Sequence, residues 1–305
     1  GIGTIGIIDF DVVQLSNLQR QVIHFHNDIG ERKVVSAAKK IKELNPNVNV
    51  IVHDAMLDRE NAEEIFAGYD LIIDGTDNFA TRYLINDAAA LVNKPYIWGS
   101  IYQFDGQASV FWSKVGPCYR CLHPTPPPPG SVPSCAEGGV LGAICATIGS
   151  IQVTEAIKLI TGIGEPLLGT LLIYDALKSE QKQVPVKVNP DCPICNGTQL
   201  QLLDDYQAFC GVSQEYLTAS ELKSMFLNKE DFLLVDVREP WEFKERSIPG
   251  AQLIPMGQFK DGSAISQLPR DRQIVLHCQS GRRSADCLEL LIQAGYADVT
   301  HLNGG

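Results

Sequence analysis

The sequence predicts an α/β protein of two domains. Short apolar runs alternate with amphipathic segments along most of the chain, and this alternation is typical of strands followed by helices in a layered α/β fold. The length of 305 residues also exceeds the size at which a single hydrophobic core usually stops growing. We therefore place a first domain at 1–200, a polar linker at 201–215 and a second domain at 216–305.

Composition and charge exclude several classes of protein. With 45% hydrophobic and 20% charged residues, the chain has the composition of a globular protein. The net charge of −11 argues against a nucleic-acid partner, because phosphate backbones are held by clustered Lys and Arg, and the sequence has no basic stripe. No apolar run has the length of a membrane span and no secretory leader opens the chain, so we predict a cytoplasmic protein without a membrane partner.

The first domain has the elements of a nucleotide-binding fold in order. Apolar runs that end at acidic or turn residues, as buried parallel strands do, stand at 4–10, 48–54 and 69–75. The segment 30–46 has helical spacing, and 106–112 alternates as an edge or antiparallel strand does. A proline-rich crossover loop at 125–133 then precedes a helix at 138–161. These elements predict a Rossmann-like domain with a mostly parallel sheet.

Both ends of the chain carry glycine patterns that we reject as functional motifs. The letters GIGTIG at 1–6 match the dinucleotide fingerprint, but a strand follows them and nothing precedes them. We expect the glycine-rich loop of this fold upstream of residue 1. The final Gly-Gly indicates an internal turn, so we expect a last helix beyond residue 305. The second domain has predicted strands at 232–237, 251–255 and 273–278, with helices at 218–228 and 284–294.

Polar residues follow two predicted strands of the first domain. Asp9 ends the first strand, where a carboxylate can accept hydrogen bonds from ribose hydroxyls. Asn17, Arg20 and Lys33 follow, and the second acidic end, DGTDN, contributes Asp77. Carboxylates at such an edge attract Mg²⁺, and Arg and Lys neutralise phosphate charge. For any one of these residues alone, a surface charge or a strand-end cap explains the sequence better.

Four of the nine cysteines form two CxxC pairs, Cys118 with Cys121 and Cys192 with Cys195. Four thiolates at this spacing favour a closed tetrahedral Zn²⁺ site. The alternative is a pair of thioredoxin-like redox motifs, but those open a helix after a strand, whereas the prolines beside both pairs favour knuckle turns.

Another cysteine, Cys278, stands where the strand VLHC opens into a loop and then a helix. Loop N–H groups, the helix N-terminus and Arg283 would stabilise a thiolate there, and we expect polar, cationic surroundings. A cysteine phosphatase needs an arginine six residues after its nucleophile, but that position is Ser284, and Arg283 comes one step early. We therefore predict sulfur chemistry rather than phosphate chemistry.

Residues 1–200 resemble the MoeB/ThiF family, the ubiquitin-activating-enzyme-like adenylyltransferases that activate small sulfur-carrier proteins. The resemblance rests on DFDVVQLSNLQRQ, GERKV, DGTDN and CYRC with CPIC, in that order. It implies that Asp9 holds the ribose of ATP, that Asp77 binds Mg²⁺ or orients the nucleotide, and that Cys135 is an acceptor cysteine in the crossover loop. The implied ATP-binding residues are Asp9, Ser16, Asn17, Arg20, Lys33, Asp77 and Asn78.

Residues 215–305 resemble a rhodanese through the DVRE and IPGA stretches between Asp236 and Ala251. This resemblance implies that Cys278 carries a persulfide whose charge Arg283 and the loop amides stabilise.

Together these resemblances imply an adenylyltransferase and sulfurtransferase that uses ATP, Mg²⁺ and Zn²⁺. We expect a homodimer whose partners are a ubiquitin-like sulfur carrier ending in Gly-Gly and a sulfur donor, either thiosulfate or a protein of the cysteine-desulfurase type. Cys135 would act through a transient disulfide that frees the product. Two alternatives stay open, a nicotinamide-dependent oxidoreductase with an accessory rhodanese domain and a non-catalytic scaffold. The carrier could serve molybdopterin, thiamine, tRNA thiolation or cysteine synthesis.

Overall fold

The chain divides into two units, Gly1–Val212 and Ser213–Gly305. The computed structural model describes residues 2–127, 139–210, 216–279, 281–296 and 298–302. Both units combine helices with sheets that contain parallel strands, so the predicted α/β class is confirmed.

The first unit contains two sheets. The smaller sheet pairs β1 (Thr4–Ile8) in parallel with β2 (Asn49–His53). The larger sheet has the order β3-β4-β5-β6-β7, and its strands are β3 (Ile72–Ile73), β4 (Tyr96–Tyr102), β5 (Asp105–Phe111), β6 (Thr170–Asp175) and β7 (Glu180–Pro185). β3 is parallel to β4, whereas the pairs from β4 to β7 are antiparallel. The larger sheet is therefore mixed, because short connections return the chain beside itself after β4 and after β6.

The helices of the first unit cover and extend these sheets. They are α1 (Lys33–Leu44), α2 (Ala62–Ala67), α3 (Phe79–Leu91), α4 (Tyr119–Leu122), α5 (Gly142–Thr161) and α6 (Tyr206–Phe209). α3 is almost wholly buried, and its Tyr83 packs with Tyr96 and Trp98 of β4 in the main core. α1 ends at Leu44 because Pro46 disfavours a helical conformation at the residue before it.

α5 is long and apolar enough to cross a membrane by length and composition alone. Its contacts are those of a core helix, since it packs on β4 and β5 through Ile144, Ile148 and Ala156. Two polar side chains, Gln152 and Glu155, are also buried on this helix. The carboxylate of Glu155 accepts hydrogen bonds from Leu167 N–H and Lys158 Nζ, so these polar groups serve the fold of the unit.

Part of the segment predicted as a linker packs on the first unit. Leu202, Tyr206 and Cys210 are buried in its main core beside α3. Asp and Gln residues separate the apolar side chains of this segment, which makes it polar in composition, but Leu203 and Phe209 also pack against the core.

The second unit has one five-stranded parallel sheet with the order β10-β9-β11-β12-β8. Its strands are β8 (Tyr216–Leu217), β9 (Phe232–Asp236), β10 (Gln252–Leu253), β11 (Gln273–His277) and β12 (Val299–Leu302). Its helices are α7 (Ala219–Asn228), α8 (Pro240–Glu245), α9 (Met256–Lys260) and α10 (Arg282–Gln293). The central strand β11 ends at His277, opposite Asp236 of β9, so Cys278 follows at the carboxyl edge of the sheet.

Candidate functional site

The four cysteines of the CxxC pairs meet in one cluster, with all their sulfur atoms within 4.8 Å of one another. Cys118 Sγ lies 3.4 Å from Cys192 Sγ, and Cys121 Sγ lies 3.5 Å from Cys195 Sγ. In a tetrahedral site with Zn–S bonds of ~2.3 Å, neighbouring sulfur atoms are ~3.8 Å apart. The cluster therefore has the donor set and the spacing that such a metal centre requires.

Helix α3 positions the first pair of cysteines. Asn86 Oδ1 accepts a hydrogen bond from Tyr119 N–H at 2.8 Å, which fixes the backbone next to Cys118. Arg120, between the two cysteines, donates from Nε and Nη2 to the carboxylate of Asp87 at 2.8 and 2.7 Å. Asp87 is fully buried at 0% exposure, so this is a bidentate ion pair in the protein interior.

The same carboxylate binds the chain that follows the second cysteine pair. Tyr206 OH donates to Asp87 Oδ2 at 2.8 Å, and Gln199 Nε2 donates to the same oxygen at 3.1 Å. Asp87 thus accepts hydrogen bonds from Arg120 between the first two cysteines, from Gln199 in the loop after Cys195, and from Tyr206 of α6. The cysteine cluster is held by α3 through contacts that do not involve the sulfur atoms.

The predicted nucleotide residues Asp9 and Lys33 lie close together after β1. Lys33 Nζ is 3.9 Å from Asp9 Oδ2 and 2.8 Å from Asp11 Oδ2. Asp9 Oδ1 also accepts a hydrogen bond from Asp11 N–H at 2.8 Å, which holds the turn after the strand. A cation between two carboxylates at the end of a strand is positioned for a polyanionic ligand.

Ser16, Asn17 and Arg20 occupy a short 3₁₀ turn and the residues after it. Asn17 is buried, and its Oδ1 accepts a hydrogen bond from Gln14 N–H at 3.0 Å. Arg20 Nη1 donates to Ser16 O at 3.0 Å. The side chains of Asn17 and Arg20 therefore each have a local structural partner.

Buried polar groups hold the backbone that leads into the turn of Asp77 and Asn78. Asp74 is buried, and it accepts hydrogen bonds from Tyr96 OH at 2.6 Å and from Thr76 N–H at 2.7 Å. Burial raises the pKa of Asp74, and its hydrogen bonds make this residue part of the framework of the turn. Gln152 Nε2 of α5 donates to the carbonyl oxygen of Asp74 at 2.7 Å.

Asp77 and Asn78 themselves are exposed. Asn78 Oδ1 accepts a hydrogen bond from Thr81 N–H at 2.8 Å and so caps α3. Within the described ranges, the structure gives neither side chain a hydrogen bond to Asp9 or Lys33. The two predicted halves of the nucleotide site thus lie at separate strand ends.

Cys278 is buried, with only 3% of its surface exposed, and belongs to the apolar core of the second unit. The sequence predicted polar, cationic surroundings for this sulfur atom. In the structure, the arginines near it are paired with carboxylates. Arg283 donates from Nη1 and Nη2 to the two carboxylate oxygens of Glu242 at 2.7 and 2.8 Å. Hydrogen bonding from Arg283 lowers the pKa of Glu242, so the pair is charged. Arg238 is paired in the same way with the buried Asp236.

Cys135, predicted as an acceptor cysteine, lies outside the described residues. The sequence analysis did not predict several residues that support these sites. Asp87 and Gln152 could have been noticed, because a polar residue within an apolar helical pattern usually has a buried partner. Glu242 has no comparable signal, since its partner is 41 residues away.

Comparison with known proteins identifies two families in the chain. Residues 1–194 match the ThiF family, and residues 218–305 match the rhodanese-like domain. A protein of Mycobacterium tuberculosis named "Probable adenylyltransferase/sulfurtransferase MoeZ" is 51% identical over 318 residues, which cover 100% of this chain and 80% of that protein. The "Sulfur carrier protein adenylyltransferase" of Thermus thermophilus is 51% identical over 219 residues, which cover 70% of this chain and 80% of that protein.

Among solved structures, E. coli MccB in a crystal structure with MccA-N7isoASN has a TM-score of 0.57 and 19% sequence identity. The match covers 64% of this chain and 60% of the MccB chain, and at this sequence identity it shows a similarity of fold alone.

The buried Asp87–Arg120 pair gives a prediction for stability. Replacing Asp87 with Asn leaves the guanidinium buried without a counter-charge, and we expect the free energy of unfolding to fall by about 3–5 kcal/mol. The measurement is a urea titration in a Trp241→Phe background, where fluorescence reports only Trp98 and Trp112 of the first unit.

Asp204→Asn is the matched control, because Asp204 pairs with Arg59 on the surface and its side chain is 95% exposed. Its loss should stay within about 1 kcal/mol. Equal losses in the two variants would contradict the assignment of Asp87 as the anchor of this region.

Proposed function

The chain belongs to the ThiF family and carries a rhodanese-like domain, and from this premise we propose that it makes a protein thiocarboxylate. As an adenylyltransferase and sulfurtransferase, it would activate the C-terminal glycine of a ubiquitin-like sulfur carrier with ATP and then deliver sulfur to it. The observation that carries the proposal is the occurrence in one chain of two separate strand-end sites, the Asp9–Lys33 pair after β1 and Cys278 after β11.

In the first step, the carrier's carboxylate attacks the α-phosphorus of ATP, giving an acyl-adenylate and pyrophosphate. Asp9 would hold the ribose, and Lys33 and Arg20 would neutralise charge that builds on the phosphate oxygens. Ser16 and Asn17 would line the same site, while Asp77 would bind Mg²⁺ or orient the nucleotide beside Asn78. The buried support under Asp74 keeps the turn of these last two residues in place.

In the second step, a persulfide on Cys278 attacks the acyl carbon and releases AMP. Arg283 would stabilise the persulfide charge together with the loop amides. Cys135 would then attack the resulting acyl disulfide, forming a protein disulfide and freeing the thiocarboxylate. The sulfur donor would be thiosulfate or a protein of the cysteine-desulfurase type.

We further propose that Cys118, Cys121, Cys192 and Cys195 hold a structural Zn²⁺ ion and that the protein is a homodimer. The sulfur spacing supports the metal. Exposed apolar side chains of α5, namely Val153, Ile157 and Ile160, support an association surface on the first unit.

Adenylation is tested by ATP/pyrophosphate exchange of the full-length protein with a panel of carriers that end in Gly-Gly. Lys33→Ala should lower the exchange rate about 100-fold, because a charged contact in the transition state is lost. Lys39→Ala, an exposed lysine of the same helix, should change the rate less than about twofold. Exchange with none of the carriers would refute the adenylation step.

Sulfur transfer is tested by thiocyanate formation from thiosulfate and cyanide. Cys278→Ala should reduce the rate to background, because the persulfide carrier is removed. Cys287→Ala is the control, since Cys287 is a buried core cysteine of α10 whose thiol pKa burial raises to about 12. Unchanged transfer in Cys278→Ala would favour a non-catalytic scaffold.

Metal analysis should find about one zinc ion per chain. Cys192→Ser removes one thiolate ligand, and the purified variant should contain little or no zinc. Cys210→Ser alters a buried cysteine outside the cluster and should leave the zinc content unchanged. Equal zinc contents in the two variants would contradict the four-cysteine site.

A further inference from the structure

A buried hydroxyl group lies within hydrogen-bond distance of the sulfur atom of Cys278. Ser284, the third residue of α10, is fully buried at 0% exposure. Its Oγ lies 3.6 Å from Cys278 Sγ, 2.8 Å from Gly281 O and 3.3 Å from His301 Nδ1. A serine hydroxyl has a single proton, so it can donate fully to only one of these partners at a time.

The hydroxyl can turn from Gly281 to the sulfur at little cost. The carbonyl of Gly281 also accepts a hydrogen bond from Ala285 N–H at 3.0 Å. When Ser284 turns away, that buried carbonyl therefore keeps a partner and the penalty for an unsatisfied acceptor does not arise. A negative charge on Cys278 makes its sulfur the stronger acceptor, because hydrogen bonds to ionised groups are about twice as strong as neutral ones.

His301 on β12 lies within hydrogen-bond distance of the hydroxyl, and the tautomer of its ring decides which way the hydroxyl points. The residue is buried at 3% exposure, and burial lowers its pKa, so the ring is neutral near pH 7. A neutral imidazole has one donor nitrogen and one acceptor nitrogen. With its proton on Nδ1, His301 donates to Ser284 Oγ, and the hydroxyl proton is then available to Gly281 or to the sulfur.

The charged neighbours of Cys278 largely cancel one another. Besides His301 of β12, the described charged and titratable groups near this site come from β9, the turn after it, α8, α9, β11 and α10, and they are Asp236, Arg238, Glu242, Lys260, His277, Arg283, Asp286 and Cys287. Both arginines among them are paired with carboxylates. Burial lowers the pKa of His277, so its ring is neutral as well. The Ser284 hydroxyl therefore adds a directed hydrogen bond to the electrostatic interaction between Arg283 and the sulfur.

We propose that Ser284 and His301 are positioning residues for Cys278, with the Ser284 hydroxyl donating to the thiolate and His301 setting its direction. The inference rests on the proposed sulfur-transfer function. In the test reaction, the thiolate attacks thiosulfate, forming an S–S bond and releasing sulfite. Cyanide then takes the outer sulfur as thiocyanate, and the thiolate leaves. The same charged sulfur is thus the nucleophile of the first step and the leaving group of the second.

The experiment measures the pH dependence of Cys278 alkylation by iodoacetamide, followed on its own peptide by mass spectrometry, together with thiocyanate formation in the full chain. Removing a donor disfavours the charged sulfur, so Ser284→Ala should move the midpoint of alkylation upward by about one pH unit, a tenfold change. Thiocyanate formation at pH 7 should fall about tenfold and should approach the parent rate as the pH rises.

The partner residue supplies a second pair of variants. His301→Asn keeps a polar group near the position of Nδ1 and should stay within about twofold of the parent protein. His301→Leu removes that group and should shift the midpoint in the same direction as Ser284→Ala. Ser224→Ala is the matched control, because Ser224 lies on the exposed face of α7 and its Oγ donates to a backbone carbonyl of the same helix, and it should leave the midpoint unchanged.

Two outcomes overturn the inference. One is an unshifted midpoint in Ser284→Ala with a normal unfolding transition, and the other is a rate that falls by the same factor at every pH, which indicates only a loss of structure. Failure of the proposed function is distinguishable, because it appears as thiocyanate formation that survives in Cys278→Ala.

Discussion

The first unit depends on one buried carboxylate, that of Asp87. Burial of a charge is costly unless the charge is paired and its remaining lone pairs are bonded, and Asp87 meets both conditions through Arg120, Tyr206 and Gln199. These partners come from three separate segments. Hydrogen bonds to residues of α3 therefore hold the segments that carry the four cysteines. A metal ion would bind to a cluster whose surrounding backbone these contacts already position.

The second unit uses the same physical device for a different purpose. Arg283 and Arg238 are both paired with carboxylates, and Arg238 Nη1 also lies 3.4 Å from Oε1 of Gln279, the residue after Cys278. Such pairing preserves the positive charge but directs the guanidinium groups to fixed partners. The sequence analysis expected the charge of Arg283 to act on the Cys278 sulfur, and the structure pairs this guanidinium with Glu242.

The sequence predicted correctly those helices and strands that a local pattern of apolar and polar residues determines. β9, β11, α7 and α10 fall within a few residues of their predicted places, because apolar runs and helical spacing are local properties. β3 is shorter than predicted and ends at Ile73. Asp74 N–H still donates to Ile97 O, but the Asp74 carboxylate accepts hydrogen bonds from Tyr96 OH and Thr76 N–H and so begins the turn. The contact of Tyr206 with Asp87 spans 119 residues, and no periodicity in the sequence encodes such a pairing.

Asn17 and Asn78 carry a consequence for how variants of this protein are interpreted. Each amide oxygen already caps its own turn or helix, at 3.0 Å from Gln14 N–H and 2.8 Å from Thr81 N–H. An alanine at either position deletes a cap as well as any ligand contact, and a lost N-cap alone costs about 1 kcal/mol. A kinetic defect in such a variant mixes folding with recognition, so the two contributions separate only when stability and turnover are measured on the same preparation.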